Sequence, residues 1–262
     1  MKKKTIMIPI LMTIALMFFS SISFASQEAN EGDWQFNLAP FYLWGINIEG
    51  DLSAGTDKIP GGNPLTKPVD VPFEDVFGNL EGAFIVHFEA MHKSNWGLLV
   101  DVDYLDLGSD FTNGQGIGLK VDLEITLAEF AGLYRVKRDA HNFDAIFGLR
   151  GYRMDPGVAL LNGPNIVDKS QDWLDPFVGG RWIWNFAEGW SVVARGDIGG
   201  FGLGSDLSWQ TVGLVEWQPF TYVSFLAGYR ALGVDYEDGS GVDYFKFDAT
   251  VHGPLLGVNF KW

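Results

Sequence analysis

The segment that decides the fold is Trp34-Gln35-Phe36-Asn37-Leu38-Ala39-Pro40-Phe41-Tyr42-Leu43-Trp44-Gly45-Ile46-Asn47-Ile48. Apolar residues, most of them large, occupy its even-numbered positions, and polar or small residues recur between them. Because successive side chains of a β-strand point to opposite faces, this period of two predicts a strand with one apolar face. We expect that face to run without interruption from Trp34 to Ile48, which is longer than most strands of soluble sheets.

Nine further segments repeat the alternation. They span residues 83–92, 96–111, 119–136, 143–155, 174–186, 190–201, 207–218, 222–236 and 243–262. Tight connections, such as 93–95 and 187–189, alternate with long polar ones at 49–82, 112–118 and 156–173. This pattern predicts an all-β fold, a transmembrane antiparallel up-and-down β-barrel of about ten strands, with eight or twelve as alternatives. A secreted soluble β-sandwich is the competing fold.

The first 25 residues have the composition of a secretory signal peptide. Three lysines (Lys2, Lys3 and Lys4) precede the apolar run 6–19, and Ser23-Phe24-Ala25 supplies a cleavage site. We expect residues 1–25 to be removed and residues 26–262 to form one barrel domain, with an uncleaved anchor as the alternative. Loss of these three lysines takes the formal net charge from −15 to −18, which argues against nucleic acid as a partner. The chain has no cysteine, which excludes disulfides and thiolate metal sites.

Aromatic residues gather beside the predicted tight turns and at the ends of the mature chain. Indole and phenol rings favour the membrane interface, where an apolar body meets lipid and a polar group meets water. Since an exported chain begins in the periplasm, we expect one aromatic girdle at the periplasmic interface. Its members are Trp34, Trp96, Trp190, Trp217, Tyr222 and Trp262.

The strand alternation also assigns faces. We expect lipid to contact apolar positions such as Leu98–Val102, Val121–Leu127 and Val223–Ala227. Glu129 falls out of phase, on the predicted lipid side, which indicates a bulge or a wrong register there. The opposite positions form a predicted lumen charge network of Glu89, Asp101, Asp103, Glu124, Arg150, Arg181, Arg195, Asp197, Arg230, Lys246 and Asp248. Opposite charges in so narrow a lumen should pair, which predicts a closed barrel.

One helical signature interrupts the first long loop. Phe73, Val76, Phe77 and Leu80 recur at i, i+3, i+4 and i+7. This spacing predicts a short amphipathic helix whose apolar stripe must be buried to be stable. We expect the stripe to lie across the barrel mouth, and contact with the outer-leaflet interface is the alternative.

The C-terminal strand alternates and ends in an aromatic residue, with Val258, Phe260 and Trp262 on one face. This resembles the signal by which the outer-membrane assembly machinery recognises barrels. Most of the mature chain also resembles a family of bacterial outer-membrane barrels without an assigned activity, distantly like the outer-membrane protein A and W types. The resemblance is carried by Phe88-Glu89-Ala90, Trp96-Gly97-Leu98, Asp103-Tyr104-Leu105-Asp106-Leu107, Ala227-Gly228-Tyr229-Arg230, Val234-Asp235-Tyr236 and His252-Gly253-Pro254-Leu255-Leu256-Gly257. It implies a barrel in the outer membrane.

No catalytic constellation is evident. Only His87 and His252 of the four histidines fall on predicted lumen faces, and neither has a serine nucleophile in a recognisable motif. The acidic segment 235–243 could bind calcium, but solvated loop charges are its ordinary interpretation. We therefore expect no enzyme, cofactor or metal. The expected role is a structural or interaction barrel, with a narrow solute channel and a lipid-modifying enzyme as alternatives. Expected partners are outer-membrane lipid, lipopolysaccharide and the assembly machinery, and we expect a monomer.

Overall fold

A computed structural model describes residues 32–55, 64–112, 118–160, 165–168 and 170–262. These residues form a closed antiparallel β-barrel with ten wall strands and one short helix. The predicted signal peptide, its cleavage site and part of the first long loop lie outside the described residues. Among the described residues, no helix has the length and apolar character needed to cross a membrane.

Strands are numbered in chain order. The first wall position is shared by β1 (Trp34–Trp44) and β2 (Asn47–Ala54), which both pair with the last strand. The other wall strands are β4 (Leu80–His92), β5 (Trp96–Thr112), β6 (Gly118–Arg138), β7 (His141–Leu160), β9 (Gln171–Ala187), β10 (Trp190–Gly200), β11 (Leu207–Phe220), β12 (Val223–Asp238) and β13 (Phe245–Lys261). The remaining elements are β3 (Leu65–Val71), helix α1 (Phe73–Gly78), β8 (Asn165–Asp168) and a 3-10 turn (Gly241–Asp243).

Each wall strand pairs with its neighbours in the chain, and β13 closes the barrel by pairing with β1. The ten predicted strand segments are confirmed. The sequence did not predict the short strands β3 and β8 inside the long connections. We call the end with the tight turns, near Asn95, Gly189 and Tyr222, the turn end, and the opposite end the loop end.

A bulge divides the first strand. The pairing of β1 with β13 shifts register between Leu38 and Phe41, and Pro40 between them has no N–H to donate. The bulge moves the apolar face from one side of the wall to the other. Before it, Gln35 and Asn37 border the lumen, whereas after it Trp44 is buried inside the barrel. The predicted uninterrupted face from Trp34 to Ile48 is therefore wrong.

Beyond the bulge, β1 and β4 separate. Their pairing ends at Ala39 opposite His87, and the structure records no pairing between residues 40–46 and 80–86. Helix α1 lies beside this gap, because the backbone N–H of Phe73 donates to Oδ1 of Asn47 at 2.9 Å. Hairpin β2–β3 continues the wall toward the loop end. The barrel therefore has a seam without strand pairing in its loop-end half.

Helix α1 divides its apolar residues between two environments. Val76 is buried, 4% exposed, in the apolar cluster of the loop-end lumen. Phe77 is 68% exposed, and the ring of Phe73 lies against Gly45 and near Pro254 on the outer surface. Leu80 is not in the helix but begins β4. The helix is where the sequence predicts it, but its apolar residues do not form one buried stripe.

The lumen is apolar near the loop end, which changes the face assignment of β6. Leu127 is buried in the loop-end cluster, with Leu123 and Ile125 packed against it. These residues point inward, not toward lipid, and Glu129 follows them on the same inward face. The lipid-facing prediction fails here because an apolar residue fits both the lipid face and an apolar lumen. Elsewhere the outer wall is apolar as predicted, with Val178 and Phe225 exposed.

Exposed aromatic rings follow the turn end around the outside of the barrel. Trp190 pairs with Trp217 across two strands, with ring centroids 5.7 Å apart. The ring centroids of Trp96 and Tyr134 are 4.9 Å apart, and those of Phe36 and Trp262 are 5.5 Å apart. The six predicted girdle residues are all 40% or more exposed: Trp34, Trp96, Trp190, Trp217, Tyr222 and Trp262.

Candidate functional site: the barrel lumen

A layer of charged side chains crosses the lumen between its apolar loop-end half and its turn-end half. Glu129 on β6 lies at its centre and is 2% exposed. Its carboxylate accepts hydrogen bonds from Arg150 and from Arg195, both at 2.8 Å. Both arginines also donate to Asp197, at 2.6 Å and 3.0 Å. Two buried arginines thus share two buried carboxylates.

Arg230 extends this layer toward β5. Its guanidinium lies 2.9 Å from a carboxylate oxygen of Asp103 and donates to the amide oxygen of Gln210 at 2.7 Å. Gln210 donates in turn to Glu129 at 3.1 Å. The guanidinium also lies 4.5 Å from the ring centre of Trp44. Arg230 therefore contacts both the charged layer and the apolar cluster.

A second group of charges lies next to the first. Arg181 on β9 pairs with Glu89 and with Asp144, the latter at 2.7 Å. Asp144 also receives two hydrogen bonds from Arg135, at 2.7 Å and 2.8 Å. His87 lies between two carboxylates, with Nδ1 at 2.8 Å from Asp101 and Nε2 at 3.0 Å from Glu89. An ionised carboxylate only accepts hydrogen bonds, so each ring nitrogen of His87 is placed to donate to one of these two side chains.

The structure separates the predicted network into two sets. Eight predicted residues meet in the buried layer: Glu89, Asp101, Asp103, Arg150, Arg181, Arg195, Asp197 and Arg230. The other three, Glu124, Lys246 and Asp248, lie on the outer surface near the loop end. They are outside because their inward neighbours are apolar, Leu123 and Ile125 on β6 and Phe245 and Phe247 on β13. His252 also faces outward, where it contacts the Tyr229 hydroxyl at 2.6 Å.

The sequence did not predict Glu129, Arg135 or Gln210 as members. The cross-strand register is the signal that links Glu129 and Arg135 to the predicted members of the charged layer. Glu129 stands opposite Arg150, and Arg135 stands opposite Asp144. Directly opposed residues on neighbouring antiparallel strands have adjacent side chains, so opposite charges there favour pairing. That register requires correct strand ends, which alternation alone does not provide.

An apolar layer fills the loop-end half of the lumen. Trp173 stacks between Tyr236, at 3.9 Å between ring centroids, and Tyr152, at 4.8 Å. The indole N–H of Trp173 donates to the Ser205 hydroxyl at 2.9 Å. Further buried apolar residues of this layer come from β1, β2 and the connection between them, and from α1, β5, β6, β7, β12 and β13: Trp44, Ile46, Ile48, Val76, Leu105, Leu107, Leu127, Met154, Leu232, Val234, Phe245, Phe247 and Ala249. The charged layer and this apolar layer lie in series along the barrel.

The turn-end half of the lumen holds a cavity of about 510 Å³. Its walls reach from Trp262 and Tyr222 near the tight turns to His87 and Arg230 in the charged layer. We call it the turn-end cavity. A cavity of this size is within the range of small-molecule sites.

The three predicted assembly-signal residues, Val258, Phe260 and Trp262, lie on β13 at the closure of the barrel. Val258 pairs with Phe41 and Phe260 pairs with Leu38. Phe260 and Trp262 are exposed on the outer face.

The fold is shared with bacterial outer-membrane β-barrels of known structure. The outer-membrane protease OmpT from Escherichia coli is similar over 92% of this chain and 100% of its own, with a TM-score of 0.53 and 6% identity. The translocator domain of the autotransporter NalP from Neisseria meningitidis aligns over 96% of this chain and 97% of its own, with a TM-score of 0.47 and 10% identity. The resemblance inferred from the sequence is thus confirmed for the fold. No family model and no curated protein sequence matches the chain.

Proposed function

We propose that the protein is an integral outer-membrane barrel with a closed lumen and a structural or interaction role. The observation that supports the proposal is the pair of layers of buried side chains that lie in series along the lumen. Glu129 and Arg150 are 2% and 0% exposed in the charged layer, and Trp173 is buried in the apolar layer. Hydrated ions need a continuous aqueous path, which neither layer offers.

The outer surface supports a membrane location. Its exposed apolar residues include Phe130, Phe147 and Leu149 on neighbouring strands. Large contiguous apolar surfaces are rare on soluble monomers, and the aromatic rings at the turn end suit a lipid interface. The proposed partners are outer-membrane lipid and lipopolysaccharide, with the assembly machinery during insertion. Because β13 pairs with β1 and closes the barrel within one chain, we propose that the protein is a monomer.

The arrangement around His87 supports a role other than catalysis. OmpT, whose fold is similar, is a protease. In this chain both ring nitrogens of His87 face carboxylates within hydrogen-bond distance. A general base needs a free ring nitrogen that faces the nucleophile it activates. A fixed, doubly hydrogen-bonded His87 therefore fits a role in holding the lumen together.

Planar-bilayer conductance of the refolded protein tests the proposal. We expect the wild-type barrel to insert without steady unitary conductance in symmetric potassium chloride. Insertion is verified independently by protection of the barrel from protease in vesicles of the same lipid. Large, steady conductance would overturn the closed-lumen proposal in favour of a narrow solute channel.

A further inference from the structure

We infer that the turn-end cavity is a binding site for a small, neutral, hydroxyl-rich solute of saccharide type, entering from the turn end. This inference goes beyond the closed-lumen proposal and needs only the cavity. A barrel that conducted ions could still hold the site, so the two proposals fail separately.

The charges that border the cavity are already paired. Arg135 is held by Asp144, Arg181 by Glu89, and Lys261 lies 2.6 Å from Glu216. The two deeper cations, Arg195 and Arg230, lie 2.8 Å from Glu129 and 2.9 Å from Asp103. A charged ligand would have to displace one of these partners, which leaves a buried charge unpaired at high cost. The paired charges therefore favour a neutral ligand.

The uncommitted hydrogen-bonding capacity of the cavity belongs mostly to amides. Gln35, Asn37 and Asn142 line it and make no side-chain hydrogen bond to any described residue. Asn259 also lines it, is 7% exposed, and has a buried Oδ1 without a hydrogen-bond partner among the described residues. Each amide offers both donors and an acceptor, which matches hydroxyl groups that also donate and accept.

The charged floor of the cavity has both an acceptor atom and a donor atom that are not used in hydrogen bonds. Oδ1 of Asp101 and Nη2 of Arg230 are buried and make no hydrogen bond within the described part of the chain. Buried polar atoms normally have a partner, and a small side-chain movement that exposes these two atoms to the cavity would let a ligand or ordered water contact them. A hydroxyl group can donate to the first atom and accept from the second.

Apolar side chains also line the cavity, namely Ile183, Val193, Val212, Leu214 and Leu226 from β9 to β12. A sugar ring has an apolar face of C–H groups and a polar rim of hydroxyls, which fits a cavity lined by both apolar and amide side chains. The volume of about 510 Å³ accommodates a monosaccharide or disaccharide.

Saturation-transfer NMR on the barrel in lipid nanodiscs tests the inference. The probes are sucrose, lactose and trehalose, with lactobionate as the anionic counterpart of lactose, and glycoside detergents are avoided throughout. We expect at least one neutral disaccharide to bind saturably and more tightly than lactobionate. Asn37→Ala and Asn142→Ala should each weaken that binding about tenfold, as loss of a ligand hydrogen bond does. The control Gln171→Ala removes an amide outside the cavity and should leave binding unchanged.

Three results would overturn the inference. In the first, none of the three disaccharides saturates. In the second, lactobionate binds as tightly as lactose, which would indicate an anion site. In the third, Asn37→Ala and Asn142→Ala bind the disaccharide as tightly as the wild type does, or Gln171→Ala loses as much affinity as they do. Either outcome would place the sugar outside the turn-end cavity. Heat-modifiable gel migration verifies that each variant is a folded barrel.

Discussion

Glu129 accepts hydrogen bonds from Arg150, Arg195 and Gln210, and Arg230 lies 3.9 Å from it. Asp197 accepts hydrogen bonds from the same three side chains, but of these two carboxylates only Glu129 also lies within ion-pair distance of Arg230. Burial of a charge is costly unless it is paired, and removal of one partner leaves the others uncompensated. Glu129 thus lies within ion-pair distance of three buried arginines, whose charge it shares with Asp197 and Asp103.

Glu129→Gln should therefore destabilise the barrel strongly, by about 3–5 kcal/mol, the usual cost of breaking a buried ion pair. Tryptophan fluorescence during urea unfolding from lipid vesicles measures the change. The matched control is Glu124→Gln on the same strand, because Glu124 faces outward where ion pairs contribute little. We expect the control to change stability by less than about 1 kcal/mol. Equal losses in the two variants would contradict the central role of Glu129.

Residue polarity predicted part of this layer and misassigned the rest for one physical reason. Eight of the charged residues that the sequence predicts inside the lumen are there, because charges avoid lipid. Glu129 was placed on the lipid side because Leu123, Ile125 and Leu127 share its face. An apolar run is compatible with lipid and with an apolar lumen alike, so polarity cannot decide the face until the neighbouring strands are aligned.

At the scale of elements, helix α1 lies beside the seam that follows the bulge at Pro40. The pairing of β1 with β4 ends at Ala39, next to the bulge, and Phe73 at the start of the helix donates to Asn47. Helical periodicity located the helix correctly, since spacing is a local property. It did not reveal that Val76 would point into the lumen while Phe73 and Phe77 face outward, because the seam arises from a bulge that alternation does not show.

Substitutions on α1 should have different effects at Val76, which points into the lumen, and at Phe77, which faces outward. Val76→Asp places a carboxylate in the apolar layer and should destabilise the barrel by several kcal/mol, about the cost of an unpaired buried charge. Phe77→Asp, one residue further, should leave unfolding in urea nearly unchanged and leave conductance at the wild-type level. A nitroxide at position 77 should show greater relaxation by oxygen than by a water-soluble nickel chelate, which indicates lipid contact. Strong broadening by the nickel chelate, or a conductance rise in Phe77→Asp, would instead support a helix across the mouth.

At the scale of the whole molecule, two layers of buried side chains lie in series in the lumen, and we propose that each one closes it. The charged layer and the apolar layer are built from different side chains, and Arg230 above Trp44 joins them. The number and order of strands could be predicted from the sequence, because alternation and turn spacing repeat along the entire chain. The order of layers inside could not, because it depends on which residues face each other across the barrel.

We expect the charged layer and the apolar layer each to be sufficient to stop ions, so that ions pass only when both layers are disrupted. We expect Arg230→Ala and Trp173→Ala each to remain closed in planar bilayers, since one layer stays intact in each. The double variant should show steady conductance well above the wild-type baseline. Conductance in Arg230→Ala alone would show that the apolar layer does not seal the lumen. Far-UV circular dichroism verifies that all three variants keep their strand content.

The charged layer also has a consequence for how the barrel is assembled. Its twelve ionisable members, His87 included, come from seven strands, and each faces inward only in the native register. A slip of one residue between neighbouring strands reverses every side chain of the slipped strand. A slipped β6 would turn Glu129 toward lipid and leave its arginines unpaired, and a slipped β7 would expose Arg150 to lipid at about 2–4 kcal/mol near the bilayer midplane. We therefore expect a strand that is added one residue out of register to be energetically penalised during assembly.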